Sequence, residues 1–541
     1  MTPKISPRQT QLLTAVAFLI LVPLICHLLF SWMGFTPTDE GATLAHSRRI
    51  VDGLVPHRDF IMIRPFVWPL IHTPIVLFGG NYTFWLSRLF VWCQLSLIAW
   101  LWVSVIGRLV SFRFSATNKL LIALMAFAAS VHTKHLTAWP TIDGLLFIAI
   151  GIALITRPAR ASKLTGYFII GLSPLCKQNF AFLVPVSLII LGDWRQLRFW
   201  IAAGTPALLY LVFLVLADSF VDGLRQLASA GSLVPIIIGK YPVMAILLSI
   251  AAGYAAASFT QPRSASSSRI NAKVAISLLY VLPVLCAGVS LFLGTWASTS
   301  FALFGLSIGV GAFLFRNVSG RTGEKQVYLL SLTAAFCASL SGGYTSPALA
   351  SGPLLAALVL SIFTRYLTDY RRLLSRSLWV AAIVIVLAFG WARTRYIYRD
   401  LPASQLDMSL ADVLPGGRLI YTNRNTYQFM KDLKIAVEFV ESSGKEYAII
   451  TDGAAYWVKA RQRNPLPAVW SQELSPPLMN KFVSAMESKR GSTIFIVQKV
   501  QASSLASGFA PLTDTDDYAA VRYARTHFTK IYETNFFALY Q

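Results

Sequence analysis

The sequence predicts an α-helical polytopic membrane protein with about 13 transmembrane helices, followed by a C-terminal soluble α/β domain. Three observations carry this. Of 541 residues, 55% are hydrophobic and 13% charged, with a mean hydropathy of +0.59, too apolar for an ordinary soluble globule. Apolar stretches approaching the roughly 20 residues that cross a bilayer recur from residue 11 to residue 395. From residue 396 charge becomes regular and no stretch is long enough to span, so 1–395 reads as the membrane region and 396–541 as one soluble domain, large enough to bury a core.

Taken in order, the expected spans are 11–33, 82–107, 117–133, 142–157, 164–176, 179–192, 199–217, 240–260, 274–293, 297–315, 326–343, 346–364 and 377–395. The first lacks a small-residue cleavage site and reads as a retained span rather than a signal peptide. The loops that should share a side with Lys4 and Arg8 are basic: Arg108/Arg113/Lys119, Arg157/Arg160/Lys163, Arg195/Arg198, Arg263/Arg269/Lys273, Arg316/Arg321/Lys325 and Arg365/Arg371/Arg372/Arg376. The positive-inside rule puts that side in the cytoplasm and the C-terminal domain outside, in the periplasm or beyond the cell, as for an integral protein of a bacterial inner (plasma) membrane. The formal charge of +23 belongs to these loops, whereas residues from Arg399 onward carry 16 Lys/Arg against 14 Asp/Glu. Nucleic acid is therefore not an expected partner. The five cysteines (Cys26, Cys93, Cys176, Cys286, Cys337) lie in or beside apolar runs and read as packing residues.

In the C-terminal domain, the strand-like runs RLIYT, YAIIT and TIFIVQKV alternate with amphipathic helical stretches near 427–441 and 476–489, the pattern of an α/β layer. It holds no Gly-rich phosphate loop and no metal-ligand spacing.

Chemistry concentrates in the outer loop 34–81. Ten acidic residues precede Asp400; seven are expected to face out, and four of those (Asp39, Glu40, Asp52, Asp59) fall in this loop. The plain reading of Asp39-Glu40 is capping of a helix that carries Leu44, Ile50, Val51 and Leu54 on one face and ends near Gly53. The functional reading is a general base, with a second carboxylate beside it, that takes the proton of an attacking hydroxyl. His57, Arg58, Asp59 and Arg64 precede the apolar run PFVWPLIHTPIVLF; an arginine there suits a phosphate held by two prongs, although Arg58–Asp59 also fits a plain surface pair. Lys177, Gln178 and Asn179 interrupt two apolar runs too short to span separately. Lys177 is thus expected below the outer surface, as an interfacial lysine or as a cation for a lipid phosphate. His132, Lys134, His135 and Asp143 match no standard metal-ligand spacing.

These residues resemble a known family. The pattern DEG…A…….G.VP.RDF, then a proline and an apolar run, then LFG…..R, is similar to the first outer loop of GT-C-fold membrane glycosyltransferases of the protein mannosyltransferase-like and aminoarabinose transferase-like type (glycosyltransferase family 39-type). KQN between short apolar runs resembles a Lys-Gln motif of that group. The resemblance covers the first 190 residues in motifs and the remainder in layout. It implies a GT-C-like fold and inverting transfer of a sugar from a polyprenyl-phosphate donor to a glycan, lipid or protein hydroxyl on the outer face. Asp39 then matches the catalytic base and Glu40 its acidic neighbour. Arg58 and Lys177 match positions near the donor phosphate, with Arg64 beside them and His57, Asp59 and Gln178 lining the substrate. No tightly bound cofactor is implied, and a divalent cation stays open. One departure is IRPFVWP where family members often carry Gly-Pro or Pro-Pro, so the floor of the sugar pocket is expected to differ.

The rival class is a transporter or flippase of a lipid or lipid-linked sugar, with a structural envelope subunit behind it. A transporter predicts polar residues along several mid-membrane helices. Beyond Lys177 and Arg88 the spans carry almost no charge, which favours the enzyme.

Overall fold

The computed structural model describes residues 6–132, 135–229, 243–260, 296–317, 322–340, 351–512 and 518–541. Helix α1 (Pro7–Phe30) starts from a capping box in which Ser6 and Gln9 exchange hydrogen bonds. There follow α2 (Ala42–Val51), α3 (Val67–Phe78), α4 (Thr83–Leu109), α5 (Ala116–Val131), α6 (Pro140–Ile155), α7 (Arg160–Leu172), α8 (Leu183–Ile190), α9 (Leu197–Leu216), α10 (Phe220–Ser229), α11 (Val243–Thr260), α12 (Trp296–Asn317), α13 (Thr322–Ser339) and α14 (Ser351–Arg395). Leucines and isoleucines on α1 and α9 (Leu13, Ile20, Leu28, Ile201, Leu208, Leu216) are exposed, which suits a lipid rather than an aqueous solvent.

Among the described residues, four helices are long and apolar enough to cross a membrane: Gln9–Phe30, Gly80–Leu109, Leu197–Leu216 and Tyr370–Arg395. The expected total of 13 crossings is not reached by these, and the run 274–293 lies outside the described residues. The pair expected at 164–176 and 179–192 is made of short helices. Helix α7 has 13 residues and α8 has 8, about 20 Å and 12 Å of rise, against a hydrocarbon core of roughly 30 Å. They form a hairpin. Lys163 at the start of α7 meets Asp193, just past α8, at 3.0 Å, and the Tyr167 hydroxyl donates to the same carboxylate at 2.9 Å. Lys177 sits at the opposite end, between two 3-10 turns. Close packing explains the glycines here: a Cβ on Gly166 would lie 2.7 Å from the Gly151 carbonyl oxygen, and one on Gly171 would meet the Ala203 carbonyl oxygen at 2.1 Å.

Helix α14 bends at Tyr370, whose φ/ψ of −129°/27° is not helical. The bend separates the two runs expected at 346–364 and 377–395. Cys26, Cys176 and Cys337 are buried and Cys93 is exposed; Cys286 lies outside the described residues.

The C-terminal part pairs β1 (Met408–Ser409) with β2 (Tyr421–Thr422), then runs α15 (Arg424–Ser442), β3 (Glu446–Ile450), α16 (Ala454–Trp457), α17 (Pro476–Ser488), β4 (Thr493–Gln498), α18 (Ala519–His527), β5 (Lys530–Glu533) and β6 (Phe537–Tyr540). The larger sheet has the order β3-β4-β6-β5. β3 and β4 are parallel, with Ala448 opposite Phe495, and α17 makes the crossover that a parallel pair requires. β6 returns antiparallel to β4 and β5. Strand β4 is buried along its whole length. Ile494 and Ile496 face Phe429, Leu433 and Val437 of α15, while Phe495 and Val497 face Phe482, Met486 and Val521 on the other layer.

The α15-side core does not stop at the domain edge. Phe35, Ala42, Leu44, Val76 and Phe84 of the membrane region belong to the same cluster. Main-chain bonds reinforce the join: Gly34 N–H donates to Tyr421 O (2.8 Å), Tyr421 N–H to Trp32 O (2.8 Å) and Ile61 N–H to Pro467 O (2.7 Å). The first loop and the α/β domain therefore share one end of the helical body. The basic loop Arg108–Arg113 lies past the far end of α4, about 40 Å away along that helix.

Gly41 is where the two pieces come closest. Its φ is +98°, and a Cβ would stand 2.4 Å from Ala455 Cα, a contact between backbones that no rotamer relieves. Gly41→Ala should therefore loosen the α/β domain, seen as a lower thermal midpoint and faster proteolysis near residues 396–407. Gly53→Ala, whose glycine has nothing within 4 Å, should lower the midpoint less and leave the cleavage rate unchanged.

Candidate functional site

The loop residues 31–41 leave α1 and must turn back before α2. The turn is fixed by Arg88, in the first turns of α4. Its guanidinium grips Glu40 with two bonds of 2.8 and 2.6 Å and donates to the carbonyls of Ser31 (2.8 Å), Met33 (3.1 Å) and Gly34 (2.6 Å). Arg88 is 3% exposed and Glu40 5%. A buried pair of this kind holds only because every donor finds an acceptor. Glu40 is therefore spent on shape.

Asp39 points elsewhere. Its Oδ2 lies 3.2 Å from Arg399 Nη1, and neither atom makes a hydrogen bond there. Arg399 follows α14 and has a φ of 54°, in the left-handed region. Tyr398, next to it, contacts both Asp39 and Arg399; burial first and the Asp39 charge second push its hydroxyl pKa upward. Capping does not account for either acid. The N-cap of α2 is Gly41 in left-handed geometry, with no side-chain cap bond and no acid in the first turn. Asp39 and Glu40 precede the cap, and the turn that Arg88 fixes carries their side chains away from the helix amides.

The neighbouring acids come from the C-terminal part. Asp400 accepts from Phe35 N–H (2.9 Å), Thr422 Oγ1 (2.7 Å), Asn423 Nδ2 (2.6 Å) and Leu401 N–H (2.7 Å), tying loop, linker and domain together. Asp452, at the end of β3, is 2% exposed. It is held by Gln498 Nε2 (2.8 Å) and Gln472 Nε2 (3.0 Å). Burial raises its pKa to about 6, with the charge of Asp39 adding to the shift and that of Arg399 opposing it.

Two clefts flank the loop. One lies between Thr36, Glu40, Arg88, His135, Arg393 and Tyr398. The other lies between the first loop and the domain, walled by Trp68, Trp139 and Trp470 with His46 and Arg64. The remaining sequence-selected residues divide around the second cleft. Ile63, in its wall, accepts from Gln178 Nε2 at 2.7 Å, and Lys177 Nζ donates to Thr141 Oγ1 at 3.3 Å, one residue beyond the wall residue Pro140. Arg64 lines this cleft, whereas Gln178 reaches it only through Ile63 and Lys177 only through Thr141, next to Pro140.

His57, Arg58 and Asp59 do not join them. His57 is fully buried with a φ of 68°; its Nδ1 donates to Gln226 Oε1 (3.0 Å), which leaves Nε2 to accept from the Tyr210 hydroxyl (2.6 Å). It locks the loop onto α9 and α10. Arg58 is about half exposed and bonds Asp59 at 2.9 Å, and Asp59 also receives Val55 N–H at 2.7 Å. Arg58 and Asp59 share no partner with Asp39, because the lock at His57 turns them to the surface.

Sequence reasoning also missed a buried polar group in the helical body. Asp143, expected in an outward loop, is in the first turn of α6 and fully buried; it accepts from Gln94 Nε2 (2.7 Å) and contacts His72 Nε2 (3.2 Å). His72 belongs to α3, inside a run that reads as apolar. His135 stacks on Tyr398 at 4.6 Å between ring centroids; Lys134 lies outside the described residues. No group of three or more His, Cys, Asp or Glu fit to hold a metal ion occurs among the described residues.

Two outcomes follow from the charges. Arg88→Met should cost about 3–5 kcal/mol, because Glu40 is left buried without its partner; the double change Arg88→Met/Glu40→Leu should recover part of that loss, both read from denaturant unfolding. Asp452 has a folded-state pKa above its ordinary value, so its favourable contribution is complete below about pH 4 and is lost as pH rises through about 6. Asp452→Asn should therefore match wild type in thermal midpoint near pH 4 and exceed it above pH 6.

No family model matches the chain, and no curated protein matches it. Among solved structures, the crystal structure of the Archaeoglobus fulgidus oligosaccharyltransferase in the apo form is similar at 13% identity and a TM-score of 0.44, over 94% of this chain and 72% of that one. A likeness at that level assigns neither a fold family nor an activity.

Proposed function

We propose that the protein is a membrane glycosyltransferase that moves a sugar from a polyprenyl-phosphate donor to an acceptor hydroxyl at the outer face, with inversion, and that Asp39 is its general base. The observation that carries this reading is the state of Asp39. It is buried at the junction of loop and domain, relieved of capping, and held by charge to Arg399 through an oxygen that makes no hydrogen bond. Such an oxygen is placed to accept a proton. The motif resemblance of the first loop points the same way, and the basic loops at the far end of the helices support an outer location.

In this mechanism the acceptor hydroxyl attacks the anomeric carbon from the side opposite the phosphate. Its proton passes to Asp39 as the carbon–oxygen bond to phosphate breaks, and the phosphate leaves with the bonding electrons. Arg64, in the wall of the second cleft, and Lys177, whose Nζ reaches Thr141 next to that wall, are the cations proposed for that phosphate, with Gln178 behind Ile63. Arg399, 3.2 Å away, orients the Asp39 carboxylate. Glu40 acts through shape, and His57 anchors the loop. Arg58 and Asp59 are not assigned to the substrate.

The transporter reading keeps one observation in its favour, the buried group of Asp143, His72 and Gln94 among the helices. Purified protein in lipid vesicles with radiolabelled polyprenyl-phosphate sugars separates the two. Asp39→Asn should lower transfer by about 10²–10⁴-fold with only a small fall in thermal midpoint, since the Arg399 side chain left behind is 33% exposed. Transfer at the wild-type rate would remove Asp39 from the mechanism, and movement of labelled lipid between leaflets without transfer would favour the transporter.

A further inference from the structure

The second cleft has a composition that a lipid tail does not require. Trp68 and Trp139 come from the membrane region, and Trp470 comes from the α/β domain. Indole faces bind the C–H faces of sugar rings, and buried N–H groups at their edges find hydroxyl partners. Trp68 is 4% exposed, and its Nε1–H has no hydrogen-bond partner. His46 Nδ1 is likewise buried and unbonded. Burial first, then Arg49, Arg64 and His57, pushes the His46 pKa down to about 3, so the ring is neutral and offers a hydrogen bond rather than a charge. Arg64 supplies positive charge, and no carboxylate is among the described residues that line the cleft.

The outer wall is held in place. Arg49 Nη2 donates to Leu466 O at 2.6 Å, Ile61 N–H donates to Pro467 O at 2.7 Å, and Trp470 Nε1 donates to Gln472 Oε1 at 2.7 Å. Gln472 in turn holds Asp452. The indole of Trp470 is therefore oriented by the same network that holds Asp452.

We infer that this cleft is a carbohydrate site for a hexose carrying an anionic group, and that Trp470 of the α/β domain is the residue that selects the sugar. The inference deepens the glycosyltransferase reading and rests on it for its place in the reaction, but binding itself can be measured without transfer. Sugar face and charge are recognised separately: the ring by the tryptophans, the hydroxyls by Trp68 Nε1–H and His46, and the anionic group by Arg64. The same chemistry is offered by the head of a lipid-linked sugar phosphate and by an acidic acceptor glycan.

The test is calorimetric titration of the full chain in nanodiscs with glucose, galactose and mannose 1-phosphates, the matching neutral sugars, glucuronate and inorganic phosphate. At least one sugar phosphate or glucuronate should bind tenfold or more tighter than its neutral sugar and than phosphate alone. Trp470→Ala should weaken that binding at least tenfold, Trp470→Phe should keep most of it, and Arg64→Gln should remove the preference for the anionic form. Competition by polyprenyl phosphate in the nanodisc would identify the donor head as the occupant, and binding without competition an acidic acceptor; both support the site. Equal binding of neutral sugar, equal binding of phosphate, no binding by any sugar, or Trp470→Ala binding as wild type would each overturn it. If Asp39→Asn abolishes transfer while the cleft variants bind unchanged, the cleft inference falls and the base assignment stands.

Discussion

The five contacts made by Arg88 decide the shape of everything at this end of the molecule. A guanidinium buried in the first turns of a membrane helix has few ways to be tolerated. Here it collects the carboxylate of Glu40 and the carbonyls of Ser31, Met33 and Gly34, groups that would otherwise be unpaired where the chain leaves α1. That choice fixes the turn, and the turn fixes Gly41 against Ala455 and Asp39 against Arg399. The acidic pair thus divides into a residue that builds and a residue left available.

Much of this arrangement was legible in the sequence, for physical reasons that vary by residue. The acidic loop stood out because charge is costly beside apolar runs, and the strands 446–450 and 493–498 because buried β-branched and aromatic runs leave a local signal. Lys177 was legible as a break between runs too short to span, and the hairpin of α7 and α8 gives that break its geometry. Other features are properties of the fold alone. Arg399 and Asp452 lie hundreds of residues from Asp39, and no local pattern marks them as its neighbours. The hairpin β5–β6 is short, and β5 is exposed along its length, so it lacks the alternation that reveals a strand. Arg58 and His57 show the converse limit: adjacent in sequence, they are separated by a backbone turn into one surface residue and one lock.

Helix α3 lies within the outer loop 34–81 that the sequence sets apart from the spans. Val67–Phe78 is apolar along most of its length, has 12 residues and packs beside α2. It carries His72 to Asp143 and leads from Arg64 into the helical body. A run of that length serves as the floor under the loop, and its two prolines, Pro69 and Pro74, occupy a helix too short to be needed for spanning.

The shared core between the first loop and the α/β domain bears on how the protein is made. Phe35, Leu44, Val76 and Phe84 leave the ribosome early, whereas their partners Leu410, Phe429, Val437 and Phe537 are made last. At about 5–20 residues per second, the early half waits on the order of 20–80 seconds for the late half. During that interval its apolar side has only membrane or helper proteins to rest against. Assembly of the site is thus a late event of biosynthesis: a chain cut short after residue 441 would keep its acidic loop, Trp68 and Trp139, but would lose Trp470 and the strands β3, β4 and β6 that complete the shared core.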